Sequence, residues 1–82
     1  MEKLIKLIQR LEAVAKKNDD EFEYNISIKP RFRTNRLQFI FEVREKPDNH
    51  VILSGNGFSL DAAIDMAEAD LPSSMREFGY EI

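Results

Sequence analysis

The chain has no cysteine, no tryptophan, one histidine, three glycines and three prolines among its 82 residues. Without cysteine there is no disulfide framework, and a lone histidine cannot supply the Cys/His ligand sets of structural zinc. No stretch approaches the roughly 20 consecutive apolar residues that a membrane helix needs. Lys6 and Arg10 interrupt the opening stretch that a signal peptide would keep apolar. The expectation is one cytoplasmic domain over residues 1–82, because two hydrophobic cores would need about 100 residues or more. Catalysis lacks its parts as well. With one histidine, no cysteine and no serine in a strained elbow, no nucleophile–base pair can be assembled. The chain is therefore read as a binding module rather than an enzyme, with no cofactor and no metal.

What the chain does have is charge, sorted along its length. The net charge is only −3, yet residues 29–36 hold Lys29, Arg31, Arg33 and Arg36 with no acid, while residues 59–82 hold six acids against Arg76 alone. Such segregation favours one basic and one acidic surface.

Hydrophobic spacing divides the chain into five elements. Leu4, Ile5, Ile8, Leu11 and Ala15 recur every three or four residues, which predicts an amphipathic helix over residues 2–17. From residue 22 the period becomes two: Phe22, Tyr24, Ile26 and Ile28 alternate with polar residues, a strand with one wet face that Pro30 is expected to end. Leu37, Phe39, Phe41 and Val43 repeat the pattern, with Ile40 marking a partly covered place on the polar side. Lys46-Pro47-Asp48-Asn49 is turn chemistry and predicts a hairpin into a third strand at Val51-Ile52-Leu53. Ser59 is placed to cap a second helix whose stripe is Leu60, Ala63, Ile64, Ala67 and Leu71. Pro72 should end or kink that helix, with a further turn stopping at Gly79 and Phe78, Tyr80 and Ile82 left as an apolar tail. The order α-β-β-β-α implies an α+β fold, a three-stranded antiparallel sheet with two helices packed on one face.

That order, together with Gly55-Asn56-Gly57-Phe58-Ser59 and the small residues Ala63 and Ala67, resembles the double-stranded RNA-binding domain, whose second helix opens on a Gly-x-Gly-x-Ser turn. The resemblance implies contact with duplex RNA through the first helix, the first hairpin loop and a lysine cluster at the start of the second helix. Lys3, Lys6, Arg10 and Lys17 stand in the first region, and Lys29 to Arg36 in the second. The third departs from the pattern, because Leu60 and Asp61 replace the lysines. The loop also lacks the family's Gly-Pro-x-His, with Phe32 in place of the histidine. Residues Ser59 to Leu71 are in addition similar to the helix of HicB-type antitoxins, over those residues only.

Two functional readings follow from the residues. The first is nucleic-acid binding through Lys29, Arg31, Phe32, Arg33 and Arg36, supported by Lys6 and Arg10, where cations neutralise phosphates and Phe32 stacks on a base. The second is a protein-interaction or inhibitor module of the phage or mobile-element kind. It would meet a basic protein surface with Asp61, Asp65 and Glu68, which line one helix face at i, i+4 and i+7. The free edges of the first and third strands leave a homodimer open.

Overall fold

In the computed structural model, which describes residues 1–46 and 48–82, five elements follow one another as read: α1 (Glu2–Lys17), β1 (Glu21–Arg31), β2 (Arg36–Lys46), β3 (Val51–Gly57) and α2 (Leu60–Glu77). The sheet order is β1-β2-β3 and both pairings are antiparallel. Both helices pack on one face: α2 lies along β3 and reaches β2, while α1 lies on β1 and against α2. This α-β-β-β-α arrangement is compatible with the double-stranded RNA-binding-domain fold. None of the helices described is long and apolar enough to cross a membrane.

The core sits between the two layers. Leu7, Leu11, Phe41, Val43, Ile52, Ile64, Leu71 and Met75 are fully buried there, and no polar or charged side chain is buried among the described residues. The α1 stripe is rotated from the expected one. Leu4, Leu7, Leu11, Val14 and Ala15 face inward, Ile8 is half-buried, and Ile5 is 55% exposed. Helix α1 packs against α2 as well as β1, and the face it buries between them includes Leu7 and Val14.

Two prolines behave differently from expectation. Strand β1 does not end at Pro30; it runs one residue further, to Arg31, with Pro30 opposite Leu37. An edge strand tolerates this, because a residue facing the open edge has no ladder bond to lose. Helix α2 runs through Pro72 to Glu77 without ending. Proline there removes one N–H and costs about 3 kcal/mol in a helix interior. The buried Leu71 and Met75 on either side hold the helix to the sheet across the gap.

Both helices finish in the same way. Gly79 takes the left-handed conformation at φ 81°, Tyr80 N–H returns to Met75 O at 2.8 Å and Gly79 N–H to Arg76 O at 3.1 Å. After α1, Asp19 is left-handed and Asp20 N–H returns to Ala15 O at 2.8 Å. At the other end of α2, Ser59 has extended backbone and its side chain accepts from Ala62 N–H at 3.1 Å. Ser59→Ala should cost about 1 kcal/mol of stability through loss of that cap, read as a lower urea midpoint at unchanged m.

The C-terminal tail is not a loose end. The Tyr80 ring meets Phe22 edge-on at 5.3 Å, and its hydroxyl lies against the carboxylates of Asp20 and Glu45. Asn18 brackets the same segment, donating to Glu81 O at 2.9 Å and accepting from Glu81 N–H at 3.0 Å. Phe78 and Ile82 remain about half exposed. The β2–β3 hairpin forms as read, although Pro47 of its expected turn lies outside the described residues.

Candidate functional site

Strands β1 and β2 are each eleven residues long and pair from Glu21↔Lys46 to Arg31↔Arg36. Toward the loop β1 leaves the cover of the helices: on its helix side Ile26 is 41% and Ile28 56% exposed, whereas Phe41 and Phe39 opposite them on β2 are fully and partly buried. The molecule is accordingly long for its mass, 42 × 26 × 19 Å.

A four-residue loop, Phe32 to Asn35, closes the hairpin. Thr34 N–H returns to Arg31 O at 3.2 Å and Asn35 takes φ 53°, a conformation asparagine tolerates well. Through this register Lys29, Arg31, Phe32, Arg33 and Arg36 come together at one end of the sheet. Phe32 projects from the tip at 90% exposure. Lys29, Arg31 and Arg36 alternate onto the helix-free face of the sheet, where Arg31 Nε donates to Gln38 Oε1 at 2.6 Å.

One member of this group was not singled out from the sequence. Phe58, the residue after β3, lies under the Arg36 guanidinium, which stands 3.9 Å from its ring centroid. A cation over an aromatic face is favourable, and the contact ties Arg36 to the residue that follows β3. Pro30, Arg31, Phe32, Arg33, Thr34, Gln38 and Phe58 line a shallow depression beside it. The only sequence signal for Phe58 was an aromatic between a glycine turn and a helix cap, where an apolar residue needs cover.

The electrostatics of the open face are uneven. Away from the tip its cations are matched: Lys46 lies 2.8 Å from Glu23 and Arg44 3.8 Å from Glu42. Among the described residues, Lys29, Arg31, Arg33 and Arg36 form no salt bridge. The two cations expected to support them stand elsewhere. Lys6 is on α1, 3.7 Å from Glu2. Arg10 lines an apolar groove with Ala13, Val14, Lys17, Leu71 and Ile82, on the helix side and toward the chain's C-terminus.

Asp61, Asp65 and Glu68 do share an exposed face of α2, and α1 reaches across to it. Lys3 Nζ donates to both Asp65 oxygens, at 3.0 and 3.2 Å. That hydrogen bond, with the charges of Asp65, Asp61 and Glu68, holds the Lys3 ammonium above the usual lysine range. The acidic line therefore already has a cation in its middle.

A further group of titratable side chains surrounds the β2–β3 turn. Glu45, Asp48 and His50 bring ligand-type atoms within 4.8 Å of one another, with His50 Nδ1 3.2 Å from Glu45 Oε1. Glu45 also receives the Tyr80 hydroxyl at 3.0 Å, so its role is bound up with anchoring the C-terminus. Burial and the two acceptor carboxylates raise the Tyr80 phenol well above the usual tyrosine range, and burial with Glu12 does the same to Tyr24, whose hydroxyl donates to Glu12 Oε1 at 2.7 Å.

No family model matches this chain, and neither a curated protein nor a solved structure matches it.

Proposed function

We propose that the protein binds nucleic acid through the tip of the β1–β2 hairpin, without catalysing a reaction and with little sequence preference. The observation that carries the reading is the set of four cations, Lys29, Arg31, Arg33 and Arg36, unmatched by any acid among the described residues and grouped around exposed Phe32. Elsewhere on the same face each cation has its carboxylate. A protein gains little from an unmatched cluster of this kind unless a polyanion meets it.

The form of nucleic acid favoured is single-stranded. Phe32 offers a bare ring for stacking, and half-exposed Phe58, under the Arg36 guanidinium, lines the same depression. Stacking on side chains of this kind is indifferent to base identity and contributes about 1–3 kcal/mol per base. The duplex-RNA mode of the double-stranded RNA-binding domain would draw on α2 as well, where Asp61 repels phosphate. Arg10, in the groove on the helix side, has no part in the tip site, and Lys6 is paired with Glu2 on α1.

Fluorescence anisotropy with labelled single-stranded DNA, duplex DNA and duplex RNA at about 50 and 200 mM salt tests the reading. The expected result is micromolar binding to the single strand that weakens with salt, lost in an Arg31→Ala/Arg33→Ala/Arg36→Ala variant that keeps its circular dichroism. Phe32→Ala should weaken single-strand binding about tenfold and change its salt slope little. Absence of binding at low salt, or full binding by the triple variant, overturns the assignment.

A further inference from the structure

The long hairpin has an open side. Strand β1 is at the edge of the sheet over its whole length, and the direction in which its backbone groups point follows from the other side of β2. Glu45 N–H donates to His50 O at 3.0 Å and Glu45 O accepts from Asn49 N–H at 2.9 Å, so odd-numbered residues of β2 turn their backbone toward β3. Even-numbered residues of β2 therefore turn toward β1. Because Glu45 stands opposite Phe22 in an unbroken register, the backbone N–H and C=O groups of Phe22, Tyr24, Ile26 and Ile28 point outward to the free edge. Pro30 shares that direction, which is why the strand can contain it.

The side chains on this edge are complementary to their own reversed order. On the open face, Glu21 and Glu23 stand at one end and Lys29 and Arg31 at the other, with Asn25 and Ser27 between them. On the helix face, Ile26 sits at the centre, flanked by Tyr24 and Ile28.

We infer that β1 pairs antiparallel with β1 of a second copy of this chain, about a two-fold axis through Ile26, to form a continuous six-stranded sheet. In this register Glu21 stands opposite the partner's Arg31 and Glu23 opposite the partner's Lys29, each contact occurring twice by symmetry. Ile26 meets its own copy, and Ile28 meets the partner's Tyr24, which covers the two isoleucines that a monomer leaves exposed. Every outward N–H of Phe22, Tyr24, Ile26 and Ile28 finds a carbonyl. The missing N–H of Pro30 falls at the ends of the ladder, opposite Phe22. Sliding the register two residues in one direction moves Pro30 inward, opposite Tyr24, and leaves Glu21 without a counterpart. Sliding it the other way sets Glu23 opposite Ser27. Charge and proline select the same alignment.

The dimer keeps both sets of helices on one side and both open faces on the other. Pairing sets Lys29 and Arg31 against the partner's Glu23 and Glu21, and leaves Phe32 and Arg33 in the loop and Arg36 on β2 outside the new ladder. The dimer would thus answer two of the four cations without a polyanion, and the inference rests on the edge strand and not on the nucleic-acid reading.

Sedimentation velocity on the full chain without nucleic acid, up to about 100 µM, where micromolar self-association is fully developed, tests it. Wild type should sediment at twice its 9.6 kDa mass. Two charge-reversed variants, Glu21→Lys/Glu23→Lys and Lys29→Glu/Arg31→Glu, each place like charges opposite one another. Each alone should dimerise about tenfold more weakly or worse, whereas an equimolar mixture should form a 1:1 heterodimer. All four positions are exposed, so both variants should keep the wild-type circular dichroism, which is recorded alongside. A monomeric wild type, variants that self-associate as well as wild type, or a mixture that stays monomeric each overturns the inference.

Discussion

Gly55→Ala is expected to lower the unfolding free energy by about 3 kcal/mol, because overpacking against groups that cannot move is among the costlier core changes. A Cβ at position 55 would lie 2.1 Å from Ala63 O and 2.7 Å from Ala67 N. Both are backbone atoms of α2, so no side-chain rotation relieves the clash. The helix must lift from β3, and the buried Ala63, Ile64 and Ala67 lose contact together. Gly57 is the informative comparison. Its added Cβ would meet the Ala62 Cβ at 2.6 Å, close to the N-terminus of α2, where Ala62 is exposed and the helix has more room to tilt. Gly57→Ala should therefore cost less, about 1–2 kcal/mol. Urea unfolding of both variants measures the difference as a shift in midpoint at constant m. A Gly55→Ala protein within about 0.5 kcal/mol of wild type would mean that α2 and β3 do not approach this closely.

The second large effect is a loss of stability in alkali. Tyr24 and Tyr80 both donate their hydroxyls to carboxylates and are partly buried, and both phenols are raised above the ordinary value of 10.0. A raised folded-state pKa means that the folded chain keeps a proton the unfolded chain gives up. The stabilisation is then fully present below pH 10 and is lost as the pH climbs toward the folded values. Each tyrosine contributes a slope of at most about 1.4 kcal/mol per pH unit above 10, reduced by the solvent screening that a partly exposed ring receives. Lys3 shifts in the same direction and adds to the loss. Urea midpoints measured from pH 8 to 11.5 should hold steady and then fall, and Tyr24→Phe/Tyr80→Phe should flatten the fall. The same decline in the double variant would place its cause elsewhere.

The sequence was most legible where a residue's reason was local. The period-two alternation of β1 and β2, the cap at Ser59, the stop at Gly79 and the glycines under α2 all follow from the residue and its near neighbours. The basic loop was legible for the same reason, since a hairpin register places Lys29, Arg31, Arg33 and Arg36 together. Features that depend on what a segment packs against were not. Pro30 signals a strand end only for an inner strand, and its place at the edge emerges from the topology. The choice of Leu7 and Val14 over Ile5 depends on where α2 lies. Pro72 breaks an isolated helix, whereas here Leu71 and Met75 hold it to the sheet. Arg36 over Phe58 and Lys3 on Asp65 join residues far apart in the chain, and spacing carries no signal for such pairs.

The strands stand in the sheet in the order in which they occur in the chain, which bears on how the chain assembles. In a disordered chain, bringing residue 80 to residue 20 would cost about 2.4 kcal/mol more loop-closure entropy than closing the four-residue hairpin loop, since the cost grows as (3/2)RT ln n. The meander never has to meet that cost in one step. Each hairpin closes over a short turn, and α2 docks on the strand immediately before it. By then Tyr80 is three residues past the end of a helix already in place, Asp20 directly precedes β1, and Glu45 lies within β2 opposite Phe22. The contact that joins the two ends of the molecule is long in sequence and short by the time it forms.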